Sequence, residues 1–169
     1  MRNSFSLVIA FVGSAACNPV LQAQMRASWD DRFFFSEWNT GLIGRLLQQQ
    51  EQLKAQGGPP RNVCILVDDV VLSGPAQEQI AHMSMRGRHF NISLMMCAVS
   101  YTNLNKRARR SLDVLLVYSL PMNGDMQVLS WEFCNQVQMA RFALNNLKEH
   151  ECLVMETLET MHRFLFVMV

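Results

Sequence analysis

The chain has 169 residues, of which 50% are hydrophobic and 17% are charged. This composition excludes an intrinsically disordered chain and supplies enough apolar side chains for one domain with a substantial core. The formal net charge is +1, so any contact with nucleic acid has to come from a local basic patch.

The five cysteines are an odd number, and no two of them form a Cys-x-x-Cys pair. Cys64 and Cys97 lie inside apolar runs, which predicts free, buried thiols in a reducing compartment. The four histidines share no spacing with the cysteines that would make a zinc site.

The N-terminal residues allow two interpretations. Met1 to Cys17 contains one Arg, an apolar stretch and small residues before Cys17, which is the loose pattern of an exported lipoprotein signal. Alternatively, Phe5 to Val12 is a core strand that ends at Gly13-Ser14, and the downstream pattern favours this because it requires another central strand. The apolar stretch is too short to cross a bilayer, which takes ~20 residues.

A helix is predicted to begin at Asn39 or Thr40, since either residue is a suitable N-cap. Its apolar residues recur at helical spacing, and Gln48 to Gln52 is expected to face solvent. Gly57 to Pro60 ends the helix. Upstream, Arg32 to Phe35 is either a short edge strand or an aromatic plug packed under a loop.

Three apolar runs predict the centre of a sheet. Val63 to Val67 ends at two adjacent acids, Asp68 and Asp69, and the runs Ile92 to Val99 and Val114 to Leu120 have the same character. Because helical or basic segments separate these runs, we expect a parallel sheet with helices on both faces. Ligands bind at the carboxyl ends of the strands in such a sheet, so the two acids lie where chemistry would take place.

The segment between the first two of these runs is predicted to be a helix. Ser73-Gly74-Pro75 is typical of a helix start, and the helix is expected to run to about Arg86, where Gly87 breaks it. Arg86 and Arg88 flank that glycine, and cations near a helix carboxyl end complement its dipole.

The polar residues after the second run adjoin the acidic strand end. Ser100 and Tyr101 follow the strand, and Asn103 to Arg110 then contains four positive charges in eight residues. Runs of this kind are usually solvated faces.

The last third of the chain is predicted to be helical and then β. Residues 124–149 are mostly helical, with these candidate buried positions: Leu129, Phe133, Val137, Phe142, Leu144 and Leu147. Cys152 to Met155 and Phe164 to Val169 are expected to pair as a C-terminal β-hairpin. The absence of repeats and linkers in the sequence predicts a single domain.

The central motifs occur in an order that resembles a known family. Ile-Leu-Val-Asp68-Asp69-Val resembles the Walker B strand of P-loop ATPases, and Arg-Gly-Arg-His-Phe-Asn-Ile-Ser with its strand resembles a segment of the FtsK and HerA superfamily. With Ser100-Tyr101, a basic turn and Arg110-x-x-Asp113 following, the chain resembles the poxvirus-type genome-packaging ATPases of large eukaryotic DNA viruses. The resemblance covers roughly Phe5 to Tyr118.

This resemblance implies a fold and a function. The implied fold is α/β, a three-layer RecA-like P-loop NTPase core over residues 1–120, with a helical and β-hairpin part over residues 121–169 of the same partial ATPase domain. The implied function is part of an ATP-driven motor that moves double-stranded DNA into viral capsids. Such a motor works as a homo-oligomeric, hexameric ring at a capsid or portal-like vertex, in the virion or a viral factory of the host-cell cytoplasm, with no membrane partner.

The resemblance also assigns roles in ATP hydrolysis. Asp68 would hold Mg²⁺, since a hard cation that bridges phosphates takes carboxylate oxygens. Asp69 would activate the attacking water, although it is one methylene shorter than the Glu of many relatives. Ser100 falls in the γ-phosphate sensor region, where relatives commonly place Gln or Asn just before it and this chain has Val99.

The resemblance also implies two roles for arginine and lysine side chains. Arg86 or Arg88, or an arginine of the basic turn, would reach the nucleotide of a neighbouring subunit, because a guanidinium stabilises charge that develops on the γ-phosphate. The basic turn would contact DNA phosphates through these side chains: Lys106, Arg107, Arg109 and Arg110.

One motif of the family is missing from these residues. The sequence contains no G-x-x-x-x-G-K-[ST] loop, and the segment at Gly13 lacks the Lys that contacts phosphate. We therefore expect either a reading frame that begins one β-α unit late or a degenerate paralogue, and weak or no ATP hydrolysis by these residues alone. Three hypotheses follow: a piece of a DNA motor, a non-catalytic ATPase-fold interaction module, or an exported lipoprotein.

Overall fold

Seven strands form one sheet in the computed structural model, which describes residues 5–14, 19–20, 23, 31–118, 120, 123–133, 137–156 and 165–168. The strands are β1 (Leu7–Val12), β2 (Phe34–Phe35), β3 (Val63–Asp68), β4 (Ile92–Ala98), β5 (Val114–Val117), β6 (Leu153–Glu156) and β7 (Leu165–Met168). Their order is β2-β1-β3-β4-β7-β5-β6, and all neighbours are parallel except β5 and β6. The predicted α/β fold with a mostly parallel sheet is confirmed.

Helices connect the parallel strands, because a parallel pair needs a crossover and not a tight turn. The described helices are α1 (Thr40–Ala55), α2 (Gly74–Arg86), α3 (Lys106–Arg109), α4 (Asn123–Phe133) and α5 (Val137–Asn145). Short 3-10 turns cover Asp31–Phe33 and Gly87–Phe90. None of the described helices combines the length and apolar character needed to cross a membrane.

One face of the sheet carries the main core. Alternate strand residues pack there with residues from all five helices, among them Phe11, Ile65, Met96, Leu115, Ile43, Ile80, Ala108, Leu129 and Leu144. The opposite face has a smaller cluster, formed by Ala10, Val12, Phe34 and Leu66. The second helix layer that a three-layer fold requires is not among the described residues.

The N-terminal apolar stretch is a strand. β1 pairs with β3 from Leu7 opposite Val63 to Val12 opposite Asp68, and it pairs with β2 on its other side. The strand interpretation is therefore confirmed, and the stretch is an integral part of the sheet. Phe35 in edge strand β2 also stacks on a β1 side chain, Phe11, at 5.5 Å between ring centroids.

The predicted solvated glutamine face of α1 is wrong at one position. Gln50 is only 2% exposed, and its side-chain amide donates to the carbonyls of Arg61 at 2.6 Å and Phe90 at 2.8 Å. Its side-chain oxygen accepts from the Arg61 amide at 3.1 Å. These hydrogen bonds satisfy the polar atoms of Gln50, which allows its side chain to be buried. Of the two predicted caps for α1, Asn39 is the one used, since its side chain accepts from the Leu42 amide.

The end of α2 differs in detail from the prediction. The helix ends at Arg86 as expected, but Gly87 keeps a right-handed conformation with φ of −53° and starts a 3-10 turn. The left-handed residue is Asn91, with φ of 53°. Asparagine tolerates this region better than most residues, so the reversal into β4 takes place four residues after the glycine.

The predicted C-terminal hairpin is wrong. β6 pairs antiparallel with β5, whereas β7 lies between β4 and β5 and is parallel to both. The all-apolar sequence of β7 suits an interior strand, while Val154 and Glu156 of β6 are exposed, as expected at an edge. The two strands are therefore separated by β5 and do not form a ladder together.

Burial of the helical region matches the prediction in part. Leu129 and Leu144 are buried, but Phe142 is 72% exposed and was wrongly assigned to the core. Phe142 lies on the solvent side of α5 because Ala140 and Leu144 supply the buried face of that helix. The side chains of Phe133 and Val137 lie outside the described part of the structure.

Candidate functional site

A cleft opens at the carboxyl ends of β3 and β4. Its volume is about 480 Å³, within the usual range for small-molecule sites. The walls come from the two strand ends and the loops after them, including Asp68, Asp69, Val70, Val71, Gln77, Cys97, Ser100, Asn103 and Leu104. The structure thus brings together both predicted acids and Ser100.

Asp68 is the last residue of β3 and is half-buried in the cleft. The thiol of Cys97, on the neighbouring strand, lines the same cleft close to the Asp68 carboxylate. Burial, together with the negative charge of Asp68, raises the pKa of the Cys97 thiol to about 11. The thiol therefore stays protonated at neutral pH.

Asp69 is exposed in the cleft and has an unusual backbone. Its φ of 51° places it in the left-handed region, which a non-glycine residue adopts only when its surroundings require it. A Cβ on Gly13 would lie 1.9 Å from the Asp69 carbonyl oxygen. The absence of a side chain at Gly13 thus lets the end of β1 approach this turn and hold Asp69 in place.

Ser100 is held in place by Asp125 of α4. Its hydroxyl donates to Oδ1 of Asp125 at 3.1 Å, and the same oxygen accepts from the Thr102 amide at 2.9 Å and the Thr102 hydroxyl at 2.6 Å. Asp125 is only 3% exposed. Burial acts to raise the pKa of Asp125, but the hydrogen bonds from Thr102, Ser100 and the Tyr101 backbone outweigh it and bring the pKa below its ordinary value.

Arg109 of the basic turn is held by contacts within the protein, and its contact with DNA stays a prediction. Its guanidinium forms a two-bond ion pair with Glu132, at 2.9 Å from Nε and 3.1 Å from Nη2, and Nη1 donates to the Leu104 carbonyl at 2.8 Å. Tyr101 is fully buried, lies under the guanidinium and donates to Glu132 at 2.9 Å. With a further bond from Nη1 to the Thr102 carbonyl, these contacts use four of the five N–H donors of Arg109, which is only 9% exposed. Arg109 is therefore less accessible to phosphates than the other cations of the turn.

The charges of this cluster depend on one another. The hydrogen bond from Arg109 is the main cause that holds the pKa of Glu132 below its ordinary value. Glu132 in turn raises the pKa of Arg109, and burial followed by the Glu132 contact raises the pKa of Tyr101. The ion pair is therefore charged at neutral pH, with a neutral tyrosine beside it.

The other three cations of the basic turn are on the surface. Lys106, Arg107 and Arg110 are exposed, and Arg107 lies 3.5 Å from Glu78 of α2 in an exposed ion pair. We define these three side chains as the basic patch. They remain candidates for phosphate contacts.

Arg86 and Arg88 lie away from the cleft. Both precede β4, whose first residue, Ile92, pairs with Val63 at the start of β3. The arginines are therefore at the amino edge of the sheet, whereas Asp68 is at the carboxyl edge. Any role of theirs at a nucleotide would concern the site of another subunit, as the resemblance implies.

The donors of the cleft fit a hard cation. Asp68, Asp69, Ser100 and Asn103 offer carboxylate, hydroxyl and amide oxygens, which are the ligands that Mg²⁺ prefers. Within the described ranges, no group of three or more His, Cys, Asp and Glu side chains comes together as a metal site. The protein would thus hold Mg²⁺ through one or two carboxylates, with water or phosphate oxygens as its other ligands.

Two residues that support the cleft, Asp125 and Glu132, were not predicted from the sequence. Asp125 and Glu132 are seven residues apart on α4, a spacing that places both acids on one helix face with the buried Leu129. Acids on a buried face are a recognisable signal of partners elsewhere in the fold. Nothing in the local sequence identifies those partners as the loop from Ser100 to Leu104.

Comparison with known proteins gives no relative for this arrangement. The chain matches no protein-family model, no curated protein and no solved structure.

Proposed function

We propose that this chain is part of an ATP-driven motor that moves double-stranded DNA into viral capsids. The observation that carries the proposal is the pair of acids at the end of β3, in one cleft with Ser100 from the end of β4. That placement agrees with the roles that the Walker B resemblance implies for these positions. The finer fold, a three-layer RecA-like core, belongs to the same proposal.

The chemistry of the cleft supports a cation-bound phosphate ligand. Asp68 would hold Mg²⁺, which supplies charge neutralisation for phosphate oxygens when it is bound. Asp69 is exposed in the cleft and is fixed by its backbone, so its carboxylate can accept a proton from a water molecule there. The cleft volume of about 480 Å³ suits part of a nucleotide.

The motifs of this chain do not include the usual phosphate-binding loop of the superfamily. No G-x-x-x-x-G-K-[ST] sequence occurs in the 169 residues, so the backbone amides that cradle phosphates in this superfamily are not supplied by such a loop. The proposal therefore assigns to this chain the part of the site that binds the cation and activates the attacking water.

To test the proposal, the chain is expressed together with any coding sequence that lies in frame upstream of Met1. We expect an ATPase that double-stranded DNA stimulates, and we expect Asp69→Asn to lower its kcat by ~10²-fold or more, the usual contribution of a general base. Glu51→Gln is the matched control, because it also neutralises an acid but lies on the exposed face of α1. Equal hydrolysis with Asp69→Asn would remove Asp69 from the reaction.

The basic patch gives a separate test of the DNA partner. Replacing Lys106 and Arg107 with glutamine should weaken DNA binding and reduce the salt slope by ~1 for each phosphate that the protein no longer neutralises. Arg45→Gln removes an exposed cation from α1 and serves as the control. An unchanged salt slope would make the patch an ordinary solvated surface.

Two observations favour a second function. The hydroxyl proton of Ser100 is used by Asp125, and Val99, where relatives commonly place an amide, is 78% exposed. These features suit a non-catalytic ATPase-fold module that docks beside active subunits. This alternative predicts that the extended protein joins a ring but neither binds nor hydrolyses ATP.

A further inference from the structure

The hydroxyls of Ser100 and Thr102 lie against the same oxygen of Asp125. The distances to Oδ1 are 3.1 Å from Ser100 and 2.6 Å from Thr102. An ionised carboxylate only accepts hydrogen bonds, and each hydroxyl has a single proton. The Ser100 hydroxyl also lies 3.1 Å from the Thr102 hydroxyl, a contact in which either oxygen could donate. A charged carboxylate is the stronger acceptor, so we assign both hydroxyl protons to Asp125, which leaves Ser100 with oxygen lone pairs for the cleft.

The carboxylate of Asp125 is a buried hydrogen-bond acceptor. It is 3% exposed and also accepts from the Thr102 amide at 2.9 Å. One oxygen of Asp125 thus accepts three hydrogen bonds, one of them from a backbone amide that can only donate. This geometry sets the direction of the two hydroxyl protons.

The loop that carries Ser100 is held at a second point by the same helix. Arg109, fixed by Glu132, donates to the carbonyls of Thr102 at 3.3 Å and Leu104 at 2.8 Å. One end of α4 thus holds Ser100 through Asp125, and the other end holds the far side of the loop through Glu132. Both attachments restrict movement of the loop that carries Ser100.

We propose that Asp125 is a positioning residue, which fixes Ser100 as a lone-pair donor to a cation, or to a water molecule on that cation, in the cleft. Ser100 then does not act as a proton donor to a γ-phosphate oxygen, the role expected for a sensor. The inference rests on the proposed function and specifies how the cleft divides its work: Asp68 supplies charge and Ser100 supplies a neutral oxygen.

The test uses Mn²⁺ alone, which can be followed by the electron paramagnetic resonance signal of the free ion. MnCl₂ is titrated into the unchanged 169-residue chain and into variants whose folding is checked by thermal unfolding. Ser100→Ala should weaken Mn²⁺ binding by about threefold to tenfold, the equivalent of one ordinary hydrogen bond. Asp125→Asn should weaken it by a similar factor.

A double variant and a control separate positioning from general packing. Ser100→Ala combined with Asp125→Asn should bind no more weakly than either single variant, because both changes remove the same interaction. Ser130→Ala removes another buried hydroxyl of α4, one that donates to the Met126 carbonyl of the same helix, so Mn²⁺ affinity should stay within about twofold, less than the loss of one hydrogen bond. Fully additive losses would overturn the inference.

Asp68→Asn distinguishes this inference from the function on which it rests. Mn²⁺ binding that is lost in Asp68→Asn but unchanged in Ser100→Ala would overturn the positioning role alone, and this single variant leaves Asp125 intact. Mn²⁺ binding that persists in Asp68→Asn, or no binding by the unchanged chain, would overturn the cation site of the proposed function as well.

Discussion

Buried polar side chains hold loops in place at both the amino edge and the carboxyl edge of the sheet. The two sets of contacts serve different purposes. At the amino edge, Gln50 makes three hydrogen bonds to the backbone of Arg61 and Phe90. At the carboxyl edge, Asp125 and Glu132 hold a loop that lines the cleft. The amino-edge contacts join loops to the core, whereas the carboxyl-edge contacts set the geometry of a candidate site.

Stability and ligand binding are therefore separable in this fold. A change at Gln50 should affect unfolding alone, because its partners lie at the opposite edge from Asp68. A change at Asp125 or Glu132 should affect unfolding and the cleft together. Point variants at the two edges can test this contrast.

The largest effect is expected at the buried ion pair of the carboxyl edge. Glu132→Gln leaves the Arg109 guanidinium buried without a counter-charge, at side-chain exposures of 11% and 16% for the pair. Removing one partner of a buried pair costs about 3–5 kcal/mol, so the free energy of unfolding should fall by that amount in urea denaturation.

A matched control lies two residues before Arg109 on α3. Arg107 and Glu78 form an ion pair with side-chain exposures of 67% and 64%. Glu78→Gln should change the free energy of unfolding by less than ~1 kcal/mol, because water screens exposed pairs. Equal losses in the two variants would show that burial does not distinguish these pairs.

The next largest effect is expected at the amino edge. Gln50→Leu fills a similar volume but leaves three backbone groups of Arg61 and Phe90 without their partner. Each buried group that loses its partner costs about 1–3 kcal/mol, and partial rehydration of the loops should keep the total near ~3 kcal/mol. The measurement is urea denaturation together with Mn²⁺ affinity, which should not change.

Gln48, an exposed residue of the same helix, provides the comparison for Gln50. Gln48→Leu should change the free energy of unfolding by no more than ~0.5 kcal/mol. A loss of Mn²⁺ binding in Gln50→Leu would show that the two edges are not independent.

A smaller effect is expected where β1 meets the Asp69 turn. Gly13→Ala places a Cβ 1.9 Å from the Asp69 carbonyl oxygen, so the backbone has to shift at a cost of about 1–3 kcal/mol. Gly44→Ala is the opposite case, since no atom lies within 4 Å of the added Cβ and the site is inside α1. That change should stabilise the protein by ~0.5–1 kcal/mol. The same sign for both variants would contradict the close approach at Gly13.

The smallest effect is a graded loss of stability in acid. The pKa of Glu132 is lowered mainly by Arg109, and the pKa of Asp125 is lowered by hydrogen bonds that outweigh burial. Their contribution is present above the unfolded values of 4.5 and 3.8 and is lost as pH falls through the lower folded values. Asp125→Asn should flatten this acid dependence in urea denaturation, and an unchanged profile would mean that Asp125 is not ionised in the folded protein.

The strands and the acidic strand end could be predicted because their signals are local. An apolar run that stops at Asp68-Asp69 identifies a buried strand and its ligand-facing end without knowledge of the rest of the fold. The position of β7 between β4 and β5 could not be predicted in this way, since strand order depends on contacts distant in sequence. The sequence shows that β7 is apolar but not which neighbours it has.

The burial of Arg109 and Gln50 could not be predicted from the sequence either. Arg109 occurs in a run of four cations, and only the fold shows that Glu132, 23 residues away, pairs with it. Gln50 likewise looks like its exposed neighbours until the carbonyls of Arg61 and Phe90 are placed beside it. In both cases the partner, and not the residue type, decides burial.

The proposed function depends above all on a divalent cation held in the cleft by the acids at the end of β3. The most direct measurement is an anomalous difference map from a crystal of the protein soaked in MnCl₂. We predict a manganese peak in contact with the Asp68 carboxylate, on the cleft side of Ser100. A manganese peak elsewhere, with no density at Asp68, would contradict the proposed cation site.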